Sequence, residues 1–364
     1  MTTGSKVTKL MVAVMALLAW ASGMMLLPSQ GNADDFAAIK EAAAKEGTLV
    51  FWASTPAQET TDALVDLFNK RFGMNIKVER VAVSARDVAA RLLTEKRAGK
   101  STVDVSIVSD ETMPTLIENT VVEKIDWVSV FGGKVDKAQL QSANDNLISN
   151  FIGYGLEFRH LVYGIAYNTK AVSMQNVPTK WEDLADPKWR RKLTIDAGLD
   201  PLKRLAPVIG KDAVLALAGR IVDNNPVYAN GTRDAVQKIV SGEASIGALA
   251  VNTVLEEQKK GTPIDFVIPE PQSVVSQQVV FVVKNAPHPN LAKLWTAWFG
   301  SEGMASKPMI DEGSLRARAG APGVFGDYFT KHNLTTRVAK SVAELDAAND
   351  IGKALEAVVK ARRQ

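Results

Sequence analysis

Eight polar residues stand where apolar runs of the chain give way to loops: Ser54 and Thr55, Ser109 and Asp110, Asp196, Asn230, and Asn252 with Thr253. Hydroxyls and amides so placed can exchange hydrogen bonds with a small solute, and the two carboxylates favour a cationic group on it. The backbone N–H groups at the helix starts after Thr55, Ser109 and Gly198 suit an anionic group instead. A ligand carrying both signs, or a polar organic solute held mainly by hydrogen bonds, fits this mixture better than bare phosphate. The same residue types also form caps and turns, which accounts for Thr55 and Ser109 equally well. Asn252 ends an apolar strand, where a cap is less clearly required, so a ligand role is the expectation there.

Catalytic chemistry has less to work with. The chain has no cysteine, which excludes thiolate nucleophiles, thiolate metal sites, disulfides and a lipidated N-terminal cysteine. It has no G-x-S-x-G elbow and no H-E-x-x-H pair. His160, His288 and His332 are far apart, none has metal-ligand spacing, and each is expected at the surface. Asp110 with Asp196 could act as paired carboxylates across a cleft. One ligand bound per chain without turnover would separate a binding protein from such an enzyme, and binding is the expectation. No metal and no cofactor is expected.

The elements that must position these residues follow two alternating periods. Asp35 to Glu46 reads as an amphipathic helix, and Thr48 to Ala53 as a buried strand. Ser54-Thr55-Pro56 then turns the chain into a helix ending at Phe72, with Thr55 expected as its N-cap. A strand over Asn75 to Val83, a helix over Ala85 to Ala98 and a strand over Val103 to Val108 complete a pattern that implies a parallel sheet. Ligands of such sheets sit beyond the carboxyl ends of the strands. A second unit is read from about Ala166, with strands at Leu193 to Ile195, Ala244 to Val251 and Asp265 to Ile268. Helices are read at Leu202 to Ile209, Asp212 to Val222 and Thr232 to Ser241. Val274 to Lys284, apolar except at Ser276, Gln277 and Gln278, returns the chain to the first unit. The fold class is therefore α/β with two lobes, each a mainly parallel sheet flanked by helices, joined by two hinge crossings around a ligand cleft. Residues 34–165 and 275–364 are assigned to lobe 1 and 166–274 to lobe 2. Trp52 is expected in the core, while Tyr163 and Tyr167 border the first crossing and either line the cleft or pack in the hinge.

Composition sets the outer bounds. The chain has 364 residues and a 46% hydrophobic fraction, enough for two cores. Its formal charge is +3, or +1 without Lys6 and Lys9, which argues against a nucleic-acid partner. Lys6 and Lys9 precede a largely apolar stretch from Leu10 to Leu27, the layout of a secretory signal. Cleavage fits after Ala21 or after Ala33; the second avoids an exposed apolar tail, and an uncleaved anchor is the alternative. Residues 1–33 are thus read as a signal peptide and the protein as periplasmic.

Six segments in order, KEGTLVFWAS, RLLTEKRAGKSTVDVSIVSD, YGIAYNTK, WEDLADPKW, SGEASIGAL and NAPHPNLAKLWTAWFGSEG, resemble the bacterial solute-binding proteins that feed ABC importers, in the branch that includes the ferric-iron binding proteins. The resemblance implies a type II-like periplasmic-binding-protein fold, a small-molecule solute, an inner-membrane ABC permease as partner and a monomer. It departs at the metal. Ferric-binding members place two adjacent tyrosines after the strand matching Ala244 to Val251, where this chain has Asn252-Thr253. The histidine some members carry after the first strand is replaced by Ser54-Thr55-Pro56, although Asp110 and Glu111 occupy the loop where those members place a carboxylate. Ferric-iron or ferric-chelate binding, a sensor role and an enzyme on the same scaffold remain the alternatives.

If the second cleavage site is used, protein released by osmotic shock begins at Asp34. Its intact mass checks this, and a mass matching residues 1–364 confined to the membrane fraction would contradict it.

Overall fold

The computed structural model describes residues 31–196, 198–269, 274–313 and 316–363. The candidate signal peptide lies outside the described residues except at its last three positions. The described chain begins with α1 (Gly31–Glu46), β1 (Thr48–Trp52), α2 (Gln58–Phe72), β2 (Lys77–Val81), α3 (Ala85–Arg97), β3 (Val105–Ser109), α4 (Met113–Glu118), α5 (Trp127–Phe131) and α6 (Lys137–Asp145). A long strand, β4 (Leu156–Asn168), leads into β5 (Leu193–Asp196), α7 (Asp200–Ile209), α8 (Lys211–Asp223), β6 (Val227–Ala229), α9 (Thr232–Val240), β7 (Ile246–Ala250), α10 (Asn252–Gln258) and β8 (Ile264–Val267). The chain returns through β9 (Val275–Val282) and ends in α11 (Pro289–Trp298), α12 (Lys307–Glu312), α13 (Val324–Lys331) and α14 (Val342–Arg363).

The strands form one sheet in the order β2-β1-β3-β9-β4-β7-β5-β6, with β8 also paired to β4. β1 is parallel to β2 and β3, and β5 is parallel to β6 and β7, so each end of the sheet is parallel as expected. The middle is antiparallel. β4 changes partners along its length: Leu156 to Val162 pair with β9, and Tyr163 to Tyr167 pair with β7. A single 13-residue strand therefore carries the chain from one lobe into the other. No strand is read here from the sequence, and Glu157, Arg159 and His160 interrupt the apolar run of the first half of β4.

Side-chain alternation along the strands fills both faces. In β1, Leu49 and Phe51 face a core with Phe68, Trp295, Trp298 and Phe299, while Trp52 packs with Val88, Leu92 and Met113 on the other face. In the second lobe, Ile165, Ile195 and Ile246 pack with Trp181, Leu205 and Leu217. On its opposite face Val236, Leu249 and Val254 pack with Phe266, Phe325 and Phe329.

The C-terminal tail departs from the assignment of 275–364 to lobe 1. Phe325 and Phe329 of α13 pack on the second lobe, as do Ile351, Leu355 and Val359 of α14, whose first turn leaves Leu345 in the first lobe. Hydrophobic spacing shows that a helix has a buried face and leaves open which lobe buries it.

His160 also departs from expectation. It is buried, with its Nε2 3.0 Å from Glu157, and its Nδ1 accepts a hydrogen bond from the Ala317 N–H at 2.9 Å. Glu157 is buried beside it and meets Arg316 at 3.1 Å and Arg318. The Arg316 guanidinium also donates to the backbone oxygens of Glu157 and Gly300. This cluster pins the start of the tail to β4. Burial alone would raise the Glu157 carboxyl, yet His160, Arg316 and Arg318 hold it down to about 2. A depressed carboxyl stabilises the fold above its unfolded pKa and loses that contribution as pH falls toward its folded value. The stabilisation is on the order of 3 kcal/mol and should disappear between about pH 4.5 and pH 2. Glu157→Gln should lower stability at neutral pH and flatten the acid limb of a urea-denaturation series. Parallel acid limbs in the two proteins would contradict this account.

Candidate functional site

Seven of the eight candidate residues stand at or just beyond the ends of β1, β3, β5 and β7, and Asn230 just beyond the end of β6. The structure commits most of them to the fold itself. Asp110 is 0% exposed and its carboxylate is fully occupied. Arg204 of α7, from the other lobe, approaches it through Nη1 at 3.2 Å and Nη2 at 3.1 Å. The Ser276 hydroxyl and the Gln277 N–H, both on β9, donate to it at 3.0 and 3.1 Å. Arg204 is only 8% exposed, so both charges have left water and depend on each other. Its Nη2 also meets Glu111 at 2.6 Å and the Ser276 hydroxyl at 3.1 Å. Lys203 extends the network outward, to Glu111 at 3.1 Å and Asp200 at 2.8 Å.

The electrostatics keep these groups ionised. Burial would lower Arg204, but Asp110, Tyr163 and Glu111 outweigh it and raise it above the ordinary arginine value. Lys203 is likewise raised against burial by Asp200 and Glu111. Tyr163, buried on β4 beside them, is pushed up by burial and stays neutral. It packs in the core of the second lobe, as does Tyr167, whose hydroxyl reaches Asp265 at 3.3 Å.

Asn252, expected to meet a ligand, is buried at the start of α10. Its Oδ1 accepts from the Val162 N–H at 2.8 Å and its Nδ2 donates to the His160 oxygen at 3.0 Å. Val251 N–H bonds the Val162 oxygen at 2.8 Å. The amide thus extends the β7 ladder by one step and serves β4 where its partner changes. Such a position requires a group that both donates and accepts, which explains an asparagine after an apolar strand.

Asp196 also turns back on its own loop, accepting the Gly198 N–H at 2.7 Å. Burial and the nearby Asp200 raise its pKa. Asp110 and Asp196 are therefore not assembled as an acid–base pair, since each carboxylate is engaged elsewhere. The Ser109 hydroxyl lies 3.1 Å from that of Thr112. Thr55 does not cap α2, which begins at Gln58 after Ala57; instead both Glu312 carboxylate oxygens accept the Ala57 N–H, at 3.3 and 3.2 Å. Arg80 fixes the same loop by donating to the oxygens of Pro56 at 2.6 Å and Ser54 at 3.0 Å. The Ser54, Thr55 and Thr253 side chains and the exposed Asn230 amide are the candidates that remain uncommitted among the described residues.

Several residues of the boundary were missed in sequence. Arg204 and Lys203 lie in DPLKRLAPVI, where Arg204 takes a slot among the buried Pro201, Leu202 and Leu205; a base on an apolar helix stripe signals a buried acid. Ser276-Gln277-Gln278 in the otherwise apolar β9 is a second signal. Arg159 of β4 donates to Gln278 Oε1 at 2.7 Å. Burial lowers its guanidinium to about 10, against the charges of Glu312 and Glu256, which come from opposite sides of the lobe boundary.

The profile described as bacterial extracellular solute-binding protein matches residues 63–322. Among solved structures, the chain is similar to iron-bound HitA from Pseudomonas aeruginosa, with 16% identity, a TM-score of 0.63 and coverage of 86% of this chain and 99% of that one. The substrate-binding protein of an ABC transporter from Agrobacterium tumefaciens gives a TM-score of 0.65 at 14% identity, covering 87% and 97%. AfuA from Actinobacillus pleuropneumoniae, with exogenous fructose-6-phosphate bound, gives 0.61 at 15% identity, covering 85% and 97%. No curated protein sequence matches the chain significantly. Identities this low carry the two-lobed fold and not the ligand. Because the matched profile spans well over half of the chain, in the order of elements described above, this protein belongs to the bacterial extracellular solute-binding protein family.

Proposed function

We propose that this chain is the periplasmic substrate-binding component of an ABC importer, acting as a monomer that captures a small polar or charged solute between its lobes and delivers it to a membrane permease. The observation that carries the reading is the register at the lobe boundary, where β3 and β7 run toward each other and end at Ser109 opposite Gln278 of β9 and at Ala250 opposite Tyr163 of β4. Residues 34–162 with 275–313 form the first lobe in this reading, and 163–274 with the tail from Val324 form most of the second. The Asp110–Arg204 pair sits against both crossing strands and acts as a pivot. The uncommitted Ser54, Thr55, Thr253 and Asn230 side chains, with the more exposed Lys203 and Glu111, are left to read the solute. HitA is recorded with iron and AfuA with a sugar phosphate. Here Asn252 stands in the place of a ferric-binding tyrosine and is committed to β4, which favours an organic solute over bare iron.

A thermal-shift screen over sugar phosphates, organic acids, polyamines and ferric chelates should find a stabilising ligand. Small-angle scattering should then show the radius of gyration falling at saturation. Thr55→Ala and Thr253→Ala should each weaken that ligand by roughly 5- to 150-fold, the affinity equivalent of losing a buried hydrogen bond. Unchanged affinity in both variants would place the site elsewhere.

The pivot has its own test in urea denaturation. Arg204→Met leaves Asp110 buried without a cation and should cost about 3–5 kcal/mol. The double variant Asp110→Leu with Arg204→Met should recover a large part of that loss, and equal losses in the single and double variants would show that the two charges are not coupled.

A further inference from the structure

A cavity of about 290 Å³ lies apart from the strand-tip loops, between α7, the start of β9, the segment 335–340 and the first turns of α14. Three bases contribute to its wall: Arg204, Arg337 and Lys340. One acid, Glu344, does so as well, but its Oε2 already accepts the Lys340 N–H at 2.9 Å. Arg337 and Lys340 are exposed, and neither forms an ion pair with a described residue. Arg204 is more than nine-tenths buried, and Nη1 and Nη2 are taken by Asp110, Glu111 and Ser276. Its Nε–H is buried with no partner among the described residues. A buried guanidinium N–H is a strong donor, and leaving it unmet is unfavourable. The wall is also anchored, because the Val275 N–H donates to the Arg337 oxygen at 3.2 Å and so ties the segment to β9.

We propose that this cavity is a second binding site, for the oxyanion group of a small molecule, either phosphoryl or carboxylate. Arg337 and Lys340 supply two positive charges at its mouth, and the guanidinium-bearing Arg204 forms part of its inner wall. Arginine and lysine together suit an oxyanion with several acceptor oxygens. The volume corresponds to several water molecules, room for a small organic anion as well as an inorganic one. Because Arg204 belongs to both the cavity wall and the pair that spans the lobes, occupancy here bears on the pivot. This site does not depend on what the cleft binds.

Thermal melts of the mature protein with inorganic phosphate or with citrate, against potassium chloride at matched ionic strength, test the proposal. The expected result is a saturable rise in Tm with at least one of the two anions. Arg337→Gln with Lys340→Gln should weaken that response by roughly tenfold or more, whereas Thr253→Ala should keep it. A response to phosphate alone assigns a phosphoryl group, and one to citrate alone a carboxylate. No saturable rise in the wild type, or a rise that survives in the Arg337/Lys340 double variant, overturns the site. So does a rise lost in Thr253→Ala, which would place the anion in the cleft.

Discussion

Asp110 is a carboxylate with no exposure to water, and its partner cation comes from the opposite lobe. Removing two charges from water costs several kcal/mol each, and their attraction offsets this only with close geometry and further hydrogen bonds. Both conditions are met, by two guanidinium contacts, the Ser276 hydroxyl and the Gln277 N–H. Separating the pair would leave an uncompensated buried charge, which makes it the contact at the lobe boundary that is costliest to break. Lys203–Glu111 and Lys203–Asp200, farther out, are partly exposed and individually worth about 1 kcal/mol or less. The difference in magnitude separates two layers: the inner pair is expensive to break, and the outer pairs are weak enough to exchange partners.

The backbone around that pair is under the same constraint. β4 must pair with β9 on one side of the crossing and with β7 on the other, and at the change of partner its peptide groups would lack partners in a buried place. Asn252 supplies them from its side chain. The Glu157 cluster secures the preceding residues and fastens the tail to them. α14 then spans the boundary, with Leu345 in one core and Leu355 in the other. Two crossing strands with a bridging helix permit a narrower range of relative motions than two strands alone.

Much of the fold was legible because it depends on local patterns. The alternation of strand and helix, the loops at the strand tips and the return through Val275–Val282 follow from periodicity and turn residues, and they emerge with shifts of a few residues at the ends. What was not legible depends on contacts distant in sequence. β4 is obscured because two of the residues that interrupt its apolar pattern, Glu157 and His160, meet residues 316–318, over 150 positions away, and Arg159 meets Gln278. The tail was placed in the wrong lobe because amphipathicity identifies a buried face and not its partner. At the site, Asp110 reads in sequence as a ligand residue, and the structure shows its carboxylate bonded to Arg204, Ser276 and Gln277. An acid at a strand tip looks the same in sequence whether its cation is a solute or an arginine 94 positions on.

The same reasoning explains why so few of the expected ligand residues remain uncommitted. Every strand tip at a lobe boundary carries unpaired backbone groups, and these take the nearest suitable side chains first. Asp196 closes its own turn, Ser109 pairs with Thr112, Glu312 caps α2 from a distance, and Asn252 completes β4. In this chain the Asn252 amide is committed to β4, at the Val162 N–H and the His160 oxygen. What these commitments leave free among the candidate side chains is hydroxyls and an amide, the Ser54, Thr55, Thr253 and Asn230 side chains, groups that form moderate hydrogen bonds.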